Sequence, residues 1–541
     1  MSDKNNLKII TPVLIGFALG IGYFMGIRQP VSGGYSSTST ENNGNFNMLT
    51  ELIKYIDAEY VDTVSRDELI DGAVVHLLQE LDPHSYYIKP EEYAQMNESL
   101  EGNFDGIGIQ FNIQKDTLMV VDPISGGPSA KMGIRAGDRI IKVNDSLIAG
   151  IGLRNSSVLK LLKGPKGTKV DLTICRKGTE SFNVTITRDK IPIHSVNAIY
   201  MLTSNTGYIK VDRFGANTTG EFLNGVQNLK EKGAKKVVID LRGNGGGYMN
   251  AATDMLDAFF EKGALLVYTE GRARGRRDIN SKSSPMYKGM EVVVLIDESS
   301  ASASEIFAGA IQDHDRGIIV GRRSFGKGLV QEQTEWPNGS ATRLTIARYY
   351  TPSGRCIQKP YNNGVTQYNE EYYHRYENGE MLSKDSIEIV DSVMYKTDNG
   401  RIVFGSGGII PDVFVPIDTT AGSSYLNQMV YSGAEYDFAF DYADQNRVDL
   451  LKYGSVEGYI ENFIVTDELL KQLIKFGESR DVVFSEDGFE RSKQPIKRRL
   501  KAYIARNIWN DEGFYPIWNS QDPTIKAALK ADAYSILNNS N

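Results

Sequence analysis

The spacing of apolar side chains changes character along the chain. Leu49, Leu52, Ile53 and Ile56 recur with a helical period. Leu69, Ala73, Leu77 and Leu81 repeat every four residues until Asp82-Pro83, so residues 46–102 are expected to form a helical N-terminal region. From 103 to 190 the pattern shortens to alternation, as at 169–174 and 181–187, with Gly and Pro between the runs. That pattern predicts a small β-rich domain with short helices. Between 191 and 420, continuous apolar runs alternate with loops and amphipathic stretches. Buried strands are expected at 236–241, 291–297 and 317–321, and helices at 251–260 and from the serine run through Ala310. Strand, loop and helix in repetition predict an α/β core with a parallel-rich sheet. Helical periodicity returns over 421–541. Thr466-Asp467-Glu468 predicts the cap of a helix carrying Leu469, Leu470, Leu473 and Ile474. Asp522-Pro523 predicts the start of another, with Ile525, Leu529, Ala533 and Ile536 on one face. The fold class is multidomain α/β, with helical regions at both ends and no role assigned to the second.

The N-terminus adds a compartment. Residues 9–27 form an uncharged run of 19 residues, preceded by Lys4 and Lys8 and followed by Arg28. At 1.5 Å per residue of helix this run is long enough to cross a bilayer. Residues 1–28 are therefore expected to be an uncleaved inner-membrane anchor, with a cleaved signal as the alternative. No cysteine follows, which excludes a lipoprotein anchor. Residues 29–45 are rich in Ser, Gly and Asn and read as a flexible linker. The rest of the chain would then be exported to the cell-envelope side.

Composition narrows the chemistry. Sixty Lys and Arg against 68 Asp and Glu give a net charge of −8, so no basic excess points to nucleic acid. The local cluster Lys497, Arg498, Arg499 and Lys501 reads as a solvated helix face. Two cysteines, Cys175 and Cys356, make neither a disulfide framework nor a zinc cluster. No metal or cofactor is expected.

Three loops follow predicted strands: Arg242-Gly243-Asn244-Gly245-Gly246-Gly247, Ser300-Ala301-Ser302-Ala303-Ser304-Glu305 and Phe325-Gly326-Lys327-Gly328. In open α/β sheets, ligands bind beyond the carboxyl ends of the strands. A serine there needs a base to attack a carbonyl. None of the five histidines is well set for that work. His84 lies in the helical N-terminal region, His194 between domains, His314 at an exposed helix end and His374 in an acidic loop. Lys327 sits between glycines, with Phe325 before it and Leu329-Val330 after it. An apolar setting suits an amine with a depressed pKa. Gln331, four residues on, can orient it through its carbonyl oxygen, and this holds for a strand or a helix. The N–H of Ala303 can donate to an oxyanion, with a second donor from 245–247. Each motif alone also has an ordinary reading: the serine run as a helix cap, Gly-Lys-Gly as a turn.

Taken together the motifs resemble known families. Gly106-Ile107-Gly108-Ile109, Pro128-Ser129-Ala130 and the runs 133–138 and 140–144 resemble a PDZ domain. The resemblance implies that Gly106, Ile107, Gly108 and Ile109 offer N–H groups to a peptide's terminal carboxylate. Ser302 in its serine run, Lys327 in Phe-Gly-Lys-Gly and Gln331 resemble the carboxyl-terminal processing peptidases, or tail-specific proteases. Leu81-Asp82-Pro83-His84-Ser85 and Gly-Gly-Ile-Ile-Pro-Asp at 407–412 extend that resemblance over about 46–412. It implies a serine endopeptidase with Ser302 as nucleophile, Lys327 as base and Gln331 in support. Gly246 and Ala303 would be the oxyanion donors; family members often carry proline where Gly245 stands. Implied substrates are exported polypeptides engaged through free C-termini; an adaptor protein and a homo-oligomer are further candidate partners. The competing readings are a catalytically silent PDZ scaffold and a hydrolase of small esters or amides.

Overall fold

The computed structural model describes residues 43–389 and 393–538. The apolar run 9–27 lies outside them. Among the described residues no helix is long and apolar enough to cross a membrane. The chain divides into two compact units, 1–74 and 75–541. The first holds the helix Asn43–Glu59 and the first turns of the helix Arg66–Gln79, whose start is favoured by Asp67 and Glu68 at its positive dipole end.

The centre of the second unit is a six-stranded sheet. Its order is Val196–Met201, Thr206–Val211, Lys236–Asp240, Glu291–Ile296, Ile318–Gly321 and Val413–Phe414. All neighbours but the first pair run parallel. Parallel strands need cover on both faces, which is why these read as continuous apolar runs. One face packs Phe222, Val226, Met255, Ile306 and Phe307 from the helices Thr218–Glu231, Met249–Leu256 and Ala303–Asp313. The other carries Tyr208, Val238, Val293 and Val320, covered by Ile525 and Ala528 from the helix Pro523–Lys530. The C-terminal tail is thus part of the core sheet's packing. An antiparallel sheet stands beside it, joining Tyr86–Ile88, Ala341–Tyr350, Leu265–Glu270 and Arg277–Asn280, with Leu329–Glu335 also paired to Ala341–Tyr350.

The region that resembles a PDZ domain is a sheet in the order Ile109–Gln114, Thr117–Pro123, Arg139–Val143, Lys169–Cys175 and Phe182–Thr187. The helix Asn155–Leu162 sends Val158 and Leu162 into its core. The flanking strands Asn103–Gly106 and Asp189–Pro192 pair with each other, so the chain enters and leaves at one point. Residues 424–519 form a helical region around its own aromatic core, including Tyr425, Phe438, Tyr459 and Phe463. Thr466 caps the helix Asp467–Glu478 by accepting from the N–H of Leu469, as its sequence predicts.

Five expectations need correction. The cluster Lys497, Arg498, Arg499 and Lys501 is not a solvated face: all four are half-buried, Arg499 pairs with buried Glu435 at 2.6 Å and Lys501 donates to the Ile460 carbonyl at 2.7 Å. The helix expected over 251–260 stops at Leu256, where the chain tightens into i→i+3 bonds at Ala258 and Phe259. The apolar face expected over 525–536 is interrupted: one helix ends at Lys530, the next starts at Ala533, and Leu529 is exposed. His374 lies on a helix, Val365–Glu377, not in a loop. His314 does end the helix Ala303–Asp313, but its ring is half-buried, with Nε2 bonded to the Leu265 carbonyl and Nδ1 to Asp398.

Candidate active site

The strands Lys236–Asp240, Glu291–Ile296 and Ile318–Gly321 are parallel neighbours, so their carboxyl ends bring the three loops together. Asn244, fully buried, fastens the first loop to the second. Its carbonyl oxygen accepts from the Ala301 N–H at 3.0 Å and from Ser304 Oγ at 2.8 Å. Its side chain donates to the Val211 carbonyl and accepts from the Gly246 N–H, both at 2.9 Å.

The three serines of the second loop have different fates. Ser300 Oγ donates to the Leu241 carbonyl and accepts from the Asp297 N–H. Ser304 Oγ is spent on Asn244. Both are fully buried. Ser302 alone of the three lines a cavity of about 810 Å3. It stands at the start of the helix Ala303–Asp313 with φ of 57°. That conformation costs a non-glycine residue about 1–3 kcal/mol and persists only where the surroundings over-determine it.

Glu305 supplies much of that restraint. Its carboxylate is fully buried and accepts four hydrogen bonds: Ser302 N–H at 2.8 Å and Lys327 N–H at 2.9 Å on Oε2, Ser324 Oγ at 2.6 Å and Gly326 N–H at 2.7 Å on Oε1. Burial raises its pKa, and these four donors oppose the rise. Tyr349 adds a second tie, its hydroxyl lying between the carbonyl oxygens of Ser302 and Lys327 and sharing its one O–H between them.

Lys327 lies in the third loop and lines the same cavity. Its Nζ donates to Gln331 Oε1 at 2.9 Å. Burial lowers its pKa, and the Arg343 guanidinium lowers it further; Glu305 and Asp82 act the other way. Among the described residues no hydrogen bond joins Lys327 Nζ to Ser302. Gln331, on the strand Leu329–Glu335, donates its Nε2 to the carbonyl oxygen of His84. A second cavity of about 420 Å3 shares Gly245 and Lys327 with the first and is also lined by Ala301, Phe325, His84 and Tyr372.

Gly246, at φ of 102°, is packed against the serine: a Cβ there would lie 2.7 Å from the Ala301 carbonyl oxygen and 2.8 Å from Ser302 Cβ. Its N–H is engaged by Asn244 Oδ1. The Ala303 N–H has no acceptor among the described residues. Ser302, Lys327, Gln331, Gly246 and Ala303 are therefore brought together. Glu305, Asn244, Tyr349 and the His84 carbonyl are the parts that motif reading missed; only Glu305 carried a signal, three residues after the serine. Among the described residues, no group of three or more His, Cys, Asp or Glu is disposed to hold a metal ion.

The loop 106–109, the candidate for binding a peptide carboxylate, has a backbone framework of its own. The Ile107 carbonyl accepts from Ser129 N–H and Oγ, and the Gly108 carbonyl from the Ile124 N–H. Gly108 has φ of 74°, and a Cβ on it would lie 2.9 Å from Ile191 Cδ1. Gly106 belongs to the flanking strand pair, opposite Asp189. Ile109–Gln114 is an edge strand of its sheet, so a peptide strand can add beside it.

Comparison with known proteins fits these parts. Residues 205–367 match peptidase family S41, 106–186 match the PDZ domain, and 425–510 match a family of unknown function, DUF8443. The carboxy-terminal processing protease CtpA of Bacillus subtilis is 34% identical over 359 residues, 66% of this chain and 76% of that protein. A probable CtpA-like serine protease of Staphylococcus aureus is 33% identical over 351 residues, covering 64% of this chain and 69% of that one. The solved photosystem II D1 C-terminal processing protease is 27% identical, covers 59% of this chain and 91% of its own, and superposes with a TM-score of 0.34. Fold and sequence together define a serine-type peptidase carrying a PDZ domain. The chain belongs to the carboxy-terminal processing proteases of peptidase family S41.

Proposed function

We propose that the protein is a Ser–Lys endopeptidase that cuts exported polypeptides engaged through their C-terminal segments. The observation that carries this reading is the pairing of Ser302 and Lys327 on one carboxylate oxygen, both facing one cavity. Neutral Lys327 takes the proton of Ser302 Oγ as that oxygen attacks the scissile carbonyl carbon. The oxyanion that forms is stabilised by the Ala303 N–H, and by Gly246 once its N–H leaves Asn244 Oδ1. Collapse breaks the C–N bond, and the lysine ammonium returns its proton to the leaving amine. A water, deprotonated by the same lysine, then hydrolyses the acyl-serine ester. Gln331 accepts a hydrogen bond from the amine throughout and holds it in place.

In this reading the loop 107–109 and the edge strand Ile109–Gln114 receive the substrate's terminal carboxylate and last residues. Residues 9–27 anchor the protein in the membrane and the stretch before the helix Asn43–Glu59 tethers the catalytic body above it, which puts substrates on the exported side. The test is turnover of an unfolded polypeptide by wild-type protein and by Ser302→Ala. Cleavage by the first alone is expected. No cleavage by either would favour a silent PDZ scaffold, and cleavage of small esters alone a small-molecule hydrolase.

A further inference from the structure

The turn Asp82-Pro83-His84-Ser85 lies well over two hundred residues from Gln331 in the chain and touches it in space. Gln331 Nε2 donates to the His84 carbonyl while Gln331 Oε1 accepts from Lys327 Nζ at 2.9 Å. A primary amide can sit either way round, and only its surroundings decide. A carbonyl oxygen can only accept, so the His84 oxygen forces the NH2 end towards itself and the oxygen end towards the lysine.

That orientation matters to a base. A neutral lysine amine has two N–H groups and one lone pair. Gln331 Oε1 occupies an N–H and leaves the lone pair for the serine proton. The flipped amide would donate into the lone pair, and would set donor against donor once the ammonium forms.

What holds the His84 carbonyl is Asp82. Its Oδ1 accepts from the N–H groups of His84 at 2.8 Å and Ser85 at 2.9 Å, and from Thr345 Oγ1 at 3.1 Å. Its Oδ2 accepts from Ser85 Oγ at 2.6 Å, and Ser85 Oγ accepts from the Thr345 N–H at 3.1 Å. Thr345 is the residue paired with Gln331 across the Leu329–Glu335 and Ala341–Tyr350 ladder. Asp82 and Ser85 are both buried. The turn is thereby pinned to the strand opposite the glutamine.

We infer that Asp82 is a positioning residue for the base: through the His84 carbonyl it fixes the amide orientation of Gln331 and so keeps the Lys327 lone pair free for Ser302. The inference rests on the Ser–Lys reading above. It makes the segment that follows the N-terminal helices part of the catalytic assembly.

The test is a double-mutant cycle on the full-length protein with one unfolded polypeptide substrate. Asp82→Ala is expected to lower kcat about tenfold or more with KM within about twofold, since it acts on the base and not on substrate binding. In a Gln331→Ala background the same change should alter kcat on the alkaline plateau, where the Asp82 charge no longer matters to the protonation of Lys327, by no more than about twofold, because the amide it positions is gone. Asp82→Asn, which keeps the size and loses one acceptor oxygen, should show a smaller drop with the same loss of effect in the Gln331→Ala background. It serves for the whole cycle if Asp82→Ala fails to fold by circular dichroism. An equal factor in both backgrounds, or a rise in KM with kcat unchanged, overturns the inference while Ser302-dependent turnover upholds the proposed function. Turnover that survives Ser302→Ala overturns both.

Discussion

Ser302 and Lys327 hydrogen-bond through their backbone N–H groups to the same oxygen, Oε2 of Glu305, at 2.8 and 2.9 Å. One buried carboxylate therefore sets the distance between two loops that leave different strands. Glu305→Gln keeps the shape and replaces one acceptor oxygen with a donor. At least one pair of those donors then loses its acceptor, at about 1–3 kcal/mol for each buried group left unpaired. The expected outcome is a lower melting temperature and a kcat reduced about tenfold or more, with KM little changed. Steady-state kinetics and thermal unfolding check it together.

The serine run predicts a contrast that a generic helix cap does not. Ser304→Ala removes a buried hydroxyl bound to the Asn244 carbonyl and should cost about 1 kcal/mol of stability while leaving measurable turnover. Ser302→Ala should leave stability within about 1 kcal/mol of wild type, since alanine occupies the same backbone conformation, and abolish turnover. Denaturant titration of both variants beside an activity assay separates the two roles.

The pH dependence should follow the lysine. Lys327 acts as base only when neutral, so kcat/KM rises with pH through its pKa in the free enzyme. Burial, then Arg343, holds that pKa below the ordinary lysine value. Arg343→Gln removes the nearby cation, which raises the pKa and moves the ascending limb to higher pH. A limb that stays in place or moves to lower pH would assign the titration to another group.

Recognition of the substrate terminus should need its charge. Amidating a peptide's C-terminus removes the carboxylate that the N–H groups of 107–109 would bind. Calorimetry should show binding weakened about tenfold or more against the free-acid twin. Equal affinities would rule out carboxylate recognition by this loop.

Much of the site was legible because its chemistry is carried by short motifs at strand ends. A serine run, a lysine in an apolar glycine turn and a glutamine four residues on single out Ser302, Lys327 and Gln331 as candidates, and the structure lines one cavity with all three. The strands at 236–240, 291–296 and 318–321 announce themselves as apolar runs because both faces of a parallel sheet are covered. The missing parts are contacts between segments far apart in the chain, which no local period encodes. His84 does not read as a base, and its side chain bonds elsewhere, to Tyr368 at 2.7 Å, with burial and then Lys327 lowering its pKa to about 4. Its contribution is a backbone carbonyl, invisible to any reading of residue types. Asn244 carries no motif signal within its glycine loop, yet its side chain holds the Gly246 N–H and its carbonyl holds the serine loop. The helix expected over 525–536 has the right period, but residues 531–532 between Lys530 and Ala533 are not helical.

Everything proposed for the site depends on Lys327 acting as the base for Ser302. The direct measurement is kcat of folded Lys327→Ala on an unfolded polypeptide, with folding verified by the same thermal transition as wild type. No detectable turnover is expected, since the nearby His84 ring is engaged by Tyr368 and does not replace the amine. A kcat near the wild-type value in a correctly folded Lys327→Ala protein would contradict it.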